Sequence, residues 1–249
     1  MILRRVIAHF RKQEWTAIGL DFLIVVVGVF IGIQVSNWND ARAERSIADH
    51  HLTEIAEDLQ AHLGFHDALY GSAVGRIAAV DLIYERAFGS ALPDKLTIST
   101  ETLDAPPTPE IPDDVRDNIM GWVNLVRITV SSRNGYESLT SSGHLGLIEN
   151  RDLARQIQVY YGQYDDLLDT QQLFRTFRND GVREMYAYGV SAFDERPLDE
   201  IVALARDNPA FAAYLRTNRE WAILHAALLQ NLRVETEALI AAIDSELKR

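Results

Sequence analysis

The sequence predicts an all-α protein: one N-terminal transmembrane helix that continues toward a long helix, then a helical bundle. Three observations predict it. Residues 17–35, AIGLDFLIVVVGVFIGIQV, form a 19-residue run with one charge, Asp21, and one amide, Gln34. At about 1.5 Å per residue such a helix is just long enough for a hydrocarbon core of about 30 Å. Beyond it, Ile47, Leu52, Ile55, Leu59, Leu63 and Leu69 recur at steps of three to five with polar residues between, the periodicity of a helix with one apolar face. No segment alternates well enough to read as a sheet strand.

The apolar run reads as an uncleaved anchor. Trp15 and Trp38 bracket it, about 34 Å apart on a helix, a spacing that suits indoles in the two interfaces of a bilayer. A signal peptide is the first alternative. Against it, the apolar run is long and SNWNDARAER follows in place of a small-x-small cleavage site. A buried core helix is the second alternative, and residues 23–33, apolar on every side, oppose it.

Charge gives the orientation. Arg4, Arg5, Arg11 and Lys12 precede the run against Glu14 alone, a local +3; the whole chain is −12, so the remainder carries −15. The positive-inside rule then makes residues 1–16 a cytoplasmic N-terminus, 17–37 the anchor and 38–249 a periplasmic helical domain. The acidic balance argues against nucleic acid as a partner, since no basic surface displaces phosphate counterions. The chain has no cysteine, hence no disulfide or thiol chemistry.

The first helical pattern runs from 39 to about 88, with Gly64, Gly71 and Gly75 as weak points and a bend expected near Gly71. Residues 89–113 hold five of the seven prolines and read as an exposed connection with at most one extended piece, 95–99. Asp113 or Asp114 suits the start of the next helix, which reaches about Val126; RITV, 127–130, reads as a helix tail or a brief extended link. A short helix over 135–142 is stopped by Gly143.

Asn150 is the expected N-cap of a longer helix carrying Leu153, Ile157, Tyr160, Tyr161, Tyr164, Leu168 and Leu173. A loop with Pro197 follows, starting near Asp194 or Arg196. A helix over 198–206 comes next, and a last one runs from Pro209 to about Leu247. Its expected stripe is Phe211, Leu215, Trp221, Leu224, Leu228, Leu232, Leu239 and Ile243.

Within the anchor, Gly28 and Gly32 make a GxxxG, which lets membrane helices approach closely. Stepping from Asp21 gives Val25, Gly28, Gly32 and Val35 on one face. A carboxylate in a span faces a partner or water. The face is therefore a candidate docking surface for another copy or a different membrane protein. The plainer reading has Asp21 reaching headgroup water beside incidentally small residues.

Candidate chemistry is thin. His50, Glu54, Asp58, His62 and His66 fall at four-residue spacing, and paired histidines with a carboxylate one turn away can hold a divalent metal. A solvated helix flank explains the row without metal. Tyr160, Tyr161, Tyr164, Tyr186 and Tyr188 read as bulky core and interface residues with hydroxyls outward rather than a ligand pocket. SSGHLG puts serines near His144, without the elbow or companion acid of a hydrolase. No phosphate loop, dinucleotide fingerprint or zinc-protease motif appears, so no cofactor is expected.

DFLIVVVGVFIGIQVSNWNDARAER resembles the N-terminal signature of a family of bacterial single-pass membrane proteins of unknown function. In that family an acidic residue precedes a valine/isoleucine-rich run with glycine, then a glutamine and an NNWNE-like ending. Asp21, Gly28, Gln34, Asn37, Trp38, Asn39 and Asp40 fill those positions; Ser36 replaces the first asparagine and Asp40 the glutamate. GYESLTSSGHLGLIENRDLARQIQVYY is similar to the family's second landmark, a YESL-x-SSG turn leading into a helix. The resemblance implies a tethered helical domain in the bacterial inner membrane and supplies no reaction, ligand or catalytic residue. The expected role is a non-enzymatic scaffold or accessory subunit, a homo-oligomer or part of a membrane protein complex. The alternatives are a ligand-sensing helical domain that signals through a partner and, third, a metal-dependent or Ser/His hydrolase.

Overall fold

The computed structural model describes residues 15–127, 132–193 and 195–249, with side chains from Gly19 onward. The cytoplasmic-segment expectations (Arg4, Arg5, Arg11, Lys12, Glu14), the Trp15 side chain, residues 128–130 of RITV and Asp194 lie outside the described residues.

The protein is mostly helical. α1, Trp15–Phe88, is one helix of 74 residues, uninterrupted at Gly64, Gly71 and Gly75, the expected weak points. Its N-terminal half is apolar and bare. In its apolar window nothing is buried, and it is the one described helix long and apolar enough to cross a membrane. Its C-terminal half is the hub of the bundle.

The other elements follow in order: β1, Lys95–Ile98; β2, Glu101–Asp104; a 3-10 turn Asp113–Asn118 leading into α2, Ile119–Val123; α3, Asn134–Ser141; a 3-10 turn His144–Leu147; α4, Arg151–Met185; α5, Leu198–Asp207; and α6, Pro209–Leu247. β1 and β2 pair antiparallel, Leu96 opposite Leu103. This hairpin corrects the expectation of a single extended piece and no sheet. Its strands are short and mostly exposed, so they lack the alternation that marks a half-buried strand.

Three long helices make the bundle. Leu52, Ile55 and Leu59 of α1 share one apolar cluster with Leu153, Ile157, Tyr160 and Tyr161 of α4 and Leu239 and Ile243 of α6. At the other end Val80 and Ile83 of α1 pack with Met185, next to Phe211 and Leu215 of α6. α4 therefore runs parallel to α1, and α6 antiparallel to both. The parallel pair needs a long return, which the hairpin, α2 and α3 supply. Between the two cores lie two small clusters, Leu69–Leu167–Leu229 and Ile77–Ala222–Ile223.

Two apolar stripes differ from expectation. On α4, Leu167 and Phe174 face the core and Leu173 is 61% exposed. On α6, Ala222, Ile223, Ala226 and Leu229 are buried, while Trp221, Leu224, Leu228 and Leu232 are half-buried. The largest side chains mark the edge of the face there, because alanines at its centre let the helices approach closely. Gly75 serves the same end: a Cβ on it would sit 2.9 Å from the Trp122 ring of α2.

Candidate functional site: a polar seam along the long helix

The His50–Glu54–Asp58–His62–His66 row is a flank at one end and a seam at the other. His50 is exposed, whereas Asp58, His62 and His66 are buried at 8%, 7% and 6%. The expectation of a solvated flank fails for these three because the segment entering α3, together with α4 and α6, folds over them. Asp58 Oδ2 accepts from the Gly135 N–H at 2.9 Å, so the carboxylate satisfies an orphan donor at the start of α3. His66 Nε2 lies 3.2 Å from the Leu229 carbonyl of α6, and an imidazole there can only donate.

His62 joins three elements. Its Nε2 donates to the Ser132 carbonyl at 3.0 Å, and its Nδ1 lies 2.8 Å from the Tyr160 hydroxyl. The neutral ring then accepts at Nδ1 from Tyr160 O–H, and Tyr160 accepts from Thr236 at 3.0 Å. The Thr236 hydroxyl also lies 2.7 Å from the Leu232 carbonyl, so its one proton is shared between two acceptors, whereas the protons of Tyr160 and His62 are each directed to one. Burial lowers the His62 pKa; the Ser132 carbonyl and Asp58 pull the other way, and Arg133 adds to the lowering. The ring also stacks on Tyr164 at 4.7 Å.

Tyr160, Tyr161 and Tyr164 therefore point inward, against expectation, while Tyr186 is 62% exposed. A hole of about 20 Å³ lies among His62, His66, Tyr164, Thr236 and Arg233, the size of one water molecule. Beside it, between α4 and α6, is an open groove of about 350 Å³ lined by Gln163, Asp166, Asn231 and Glu235 among others.

Both ring nitrogens of His62 are committed to Tyr160 and Ser132. Among the described residues no group of three or more His, Asp or Glu is placed to hold a metal. His144 pairs with His51, ring nitrogen to ring nitrogen at 3.0 Å. Ser141 and Ser142 donate to carbonyls of their own helix. Among the described residues no serine hydroxyl bonds to His144.

The anchor-face residues are brought to no other described part of the chain. Val25 is 63% exposed, Asp21 is exposed, and a Cβ on Gly28 or Gly32 would meet nothing within 4 Å. Trp38 is 64% exposed, with the Arg42 guanidinium 5.7 Å from its ring centre.

A second polar layer escaped the sequence reading. Arg76 of α1 is fully buried, Gln171 of α4 is 3% exposed and His225 of α6 is 4% exposed. Arg76 Nη2 donates to His225 Nδ1 at 3.0 Å, and His225 Nε2 lies 3.1 Å from the Gln171 amide. A signal was present. Arg76 is in step with Leu69, Ala73, Val80 and Ile83, Gln171 with Leu167 and Phe174, and His225 with Ala222 and Leu229. Each polar residue occupies a core register position. Burial, then Arg178, brings the Arg76 pKa down to about 9. Burial, then Arg76, pushes His225 down to about 3.

Comparison of the chain with protein-family models, with curated proteins and with solved structures finds no significant match.

Proposed function

We propose that the chain is a membrane-tethered helical domain that works through protein contacts, as a scaffold or accessory subunit in the bacterial inner membrane and not as an enzyme. One observation carries this reading: the helix whose first half is bare and apolar is, without interruption, the helix on which the bundle is built. A row that includes Leu20, Phe22, Leu23, Ile24, Phe30 and Ile31, each more than half exposed, needs a cover. A bilayer covers such a helix on all sides. The charge asymmetry places the N-terminus in the cytoplasm and the bundle in the periplasm, with Trp15 and Trp38 as interfacial anchors. Four histidines that could serve as general bases, His51, His62, His66 and His144, are instead bonded to one another, to tyrosine or to backbone carbonyls.

A ligand-sensing domain that signals through a partner is the second reading. The Arg76 layer favours it, since a buried polar cluster between helices is where such domains hold ligands. In either case α1 would carry any change in the bundle toward the bilayer as a rigid rod.

A reporter active only in the cytoplasm, fused after Arg249, tests the topology. It is expected to stay silent while the protein remains in the carbonate-washed membrane pellet. A strong signal, or release into the supernatant, overturns the tethered periplasmic reading. Cross-linking in native membranes, followed by identification of what co-purifies, then separates scaffold from sensor.

A further inference from the structure

The guanidinium of Arg76 has five N–H donors and one hydrogen-bond acceptor, His225 Nδ1. Its Nε and Nη1 are buried and have no partner. The Phe174 ring lies 4.3 Å from Cζ and accommodates one face of the cation. Among the described residues no carboxylate bonds to it. The charged side chain that acts on it most is Arg178, of the same sign. A buried charge without a counterion is among the least favourable arrangements a core can contain. Arg219, 4% exposed on the neighbouring α6, shows the usual solution: its guanidinium binds both oxygens of Asp81 and the Pro93 carbonyl.

The neighbours of Arg76 do not supply the missing charge. Arg76 can only donate, so His225 accepts at Nδ1 and carries its proton on Nε2. The structure sets Gln171 Nε2 3.1 Å from His225 Nε2 and leaves Gln171 Oε1 buried without a partner. Two donors cannot bond to each other, so the amide is assigned the flipped way round, with Oε1 accepting from His225 and the NH₂ group turned away. The ring is neutral near pH 7. What then remains open around the layer is a set of donors with a net positive charge: Nε–H and Nη1–H₂ of Arg76 and the Gln171 amide.

We propose that this layer is a binding site for one small monovalent anion, a halide or a short carboxylate, held between α1, α4 and α6 against Nε and Nη1 of Arg76. The occupant is small because Arg76 and His225 are 0% and 4% exposed, so a larger one would force the helices apart. It is monovalent because Arg76 is the one cation bonded within the layer; Arg178 acts on it only through space. Bound there, the anion ties together the three long helices midway between the two apolar cores. The site depends on neither the membrane nor the scaffold reading.

The test uses the full chain in detergent micelles, with sodium fixed and chloride, formate or acetate exchanged for gluconate, which is too bulky to enter. Binding to the folded state alone raises Tm by mass action. At about five times Kd the rise is about 2–4 °C for a chain of this size, and beyond that it grows with the logarithm of the anion concentration. A response to chloride alone identifies a halide site, and one to formate and acetate alone a carboxylate site. Arg76→Met is expected to abolish the response. Gln171→Glu places a carboxylate in the layer, across the His225 ring from the guanidinium, and is expected to abolish the response while raising Tm in gluconate. If Arg76→Met does not fold, Gln171→Glu decides. Identical Tm values in all four salts, or an undiminished response in the folded variants, overturn the proposal.

Discussion

Burial sets the protonation state of two histidines, and this gives stability a pH dependence of known sign. His62 faces Asp58 on its own helix, the Ser132 carbonyl and Arg133 on the segment entering α3, and Tyr160 and Tyr164 on α4. His225 faces Arg76 and Gln171. In both, desolvation lowers the folded-state pKa below the ordinary value, to about 3 for His225. Above about pH 7 both rings are neutral folded or unfolded, and their contribution is complete. As pH falls through about 6.5, the unfolded chain takes up protons that the native chain refuses, and stability is lost until the native rings titrate. Each histidine contributes a slope of up to about 1.4 kcal/mol per pH unit. Urea midpoints are therefore expected to fall from pH 7 to pH 5, and His225→Gln is expected to flatten the decline. A wild-type midpoint that does not change over that range contradicts the assignment of neutral buried rings. The carboxyl of Asp81, raised by its burial, acts in the opposite sense at lower pH.

Helix ends are set by neighbouring residues, and so were legible. Asn150 caps α4 by accepting from the Leu153 N–H at 3.2 Å. Pro209 opens α6 behind the Asn208 cap, whose side chain accepts from Ala210 and Phe211. Gly143 stops α3 with φ 75°, in the left-handed region where a side chain is strained. The hairpin was not legible. Its left-handed turn residue is Ser99, φ 56°, and no Asn-Gly or Asp-Gly announces it. The seam was hidden for a different reason: whether Asp58 and His62 face water depends on α3 and α4 covering them, which no local pattern records. The close contact between α3 and α1 is open to a direct test. A Cβ on Gly135 would lie 2.7 Å from the Ile55 nitrogen and 2.8 Å from the Glu54 carbonyl carbon, backbone that cannot turn aside. Gly135→Ala is expected to push α3 off the seam, lengthen the bond to Asp58 and destabilise by about 1–3 kcal/mol, read as a lower denaturation midpoint. An unchanged midpoint would show that α3 does not approach α1 this closely.

At the scale of the whole molecule, one apolar half-helix is bare, and the proposed bilayer covers it without saying whether it stands alone. Asp21, Val25, Gly28 and Gly32 fall within about 60° of arc on α1, and Gly19 lies on the opposite side. Lipid provides no hydrophobic drive for apolar helices to pair, so close backbone approach and polar contacts decide. The bare helix makes this face unusually clean to test. A side chain at Gly19, Gly28 or Gly32 meets nothing within 4 Å in its own chain, so isoleucine at any of the three leaves the bundle undisturbed. Any effect reports contact with a second copy or another membrane protein. Gly28→Ile and Gly32→Ile are expected to reduce cross-linking in native membranes, and Gly19→Ile to preserve it. Asp21→Asn is expected to weaken it only slightly, because polar contacts between membrane helices contribute about 1 kcal/mol. Equal cross-linking in all four variants would remove this face from the assembly and leave the groove beside Asn231 and Glu235, on the bundle itself, as the next surface to probe.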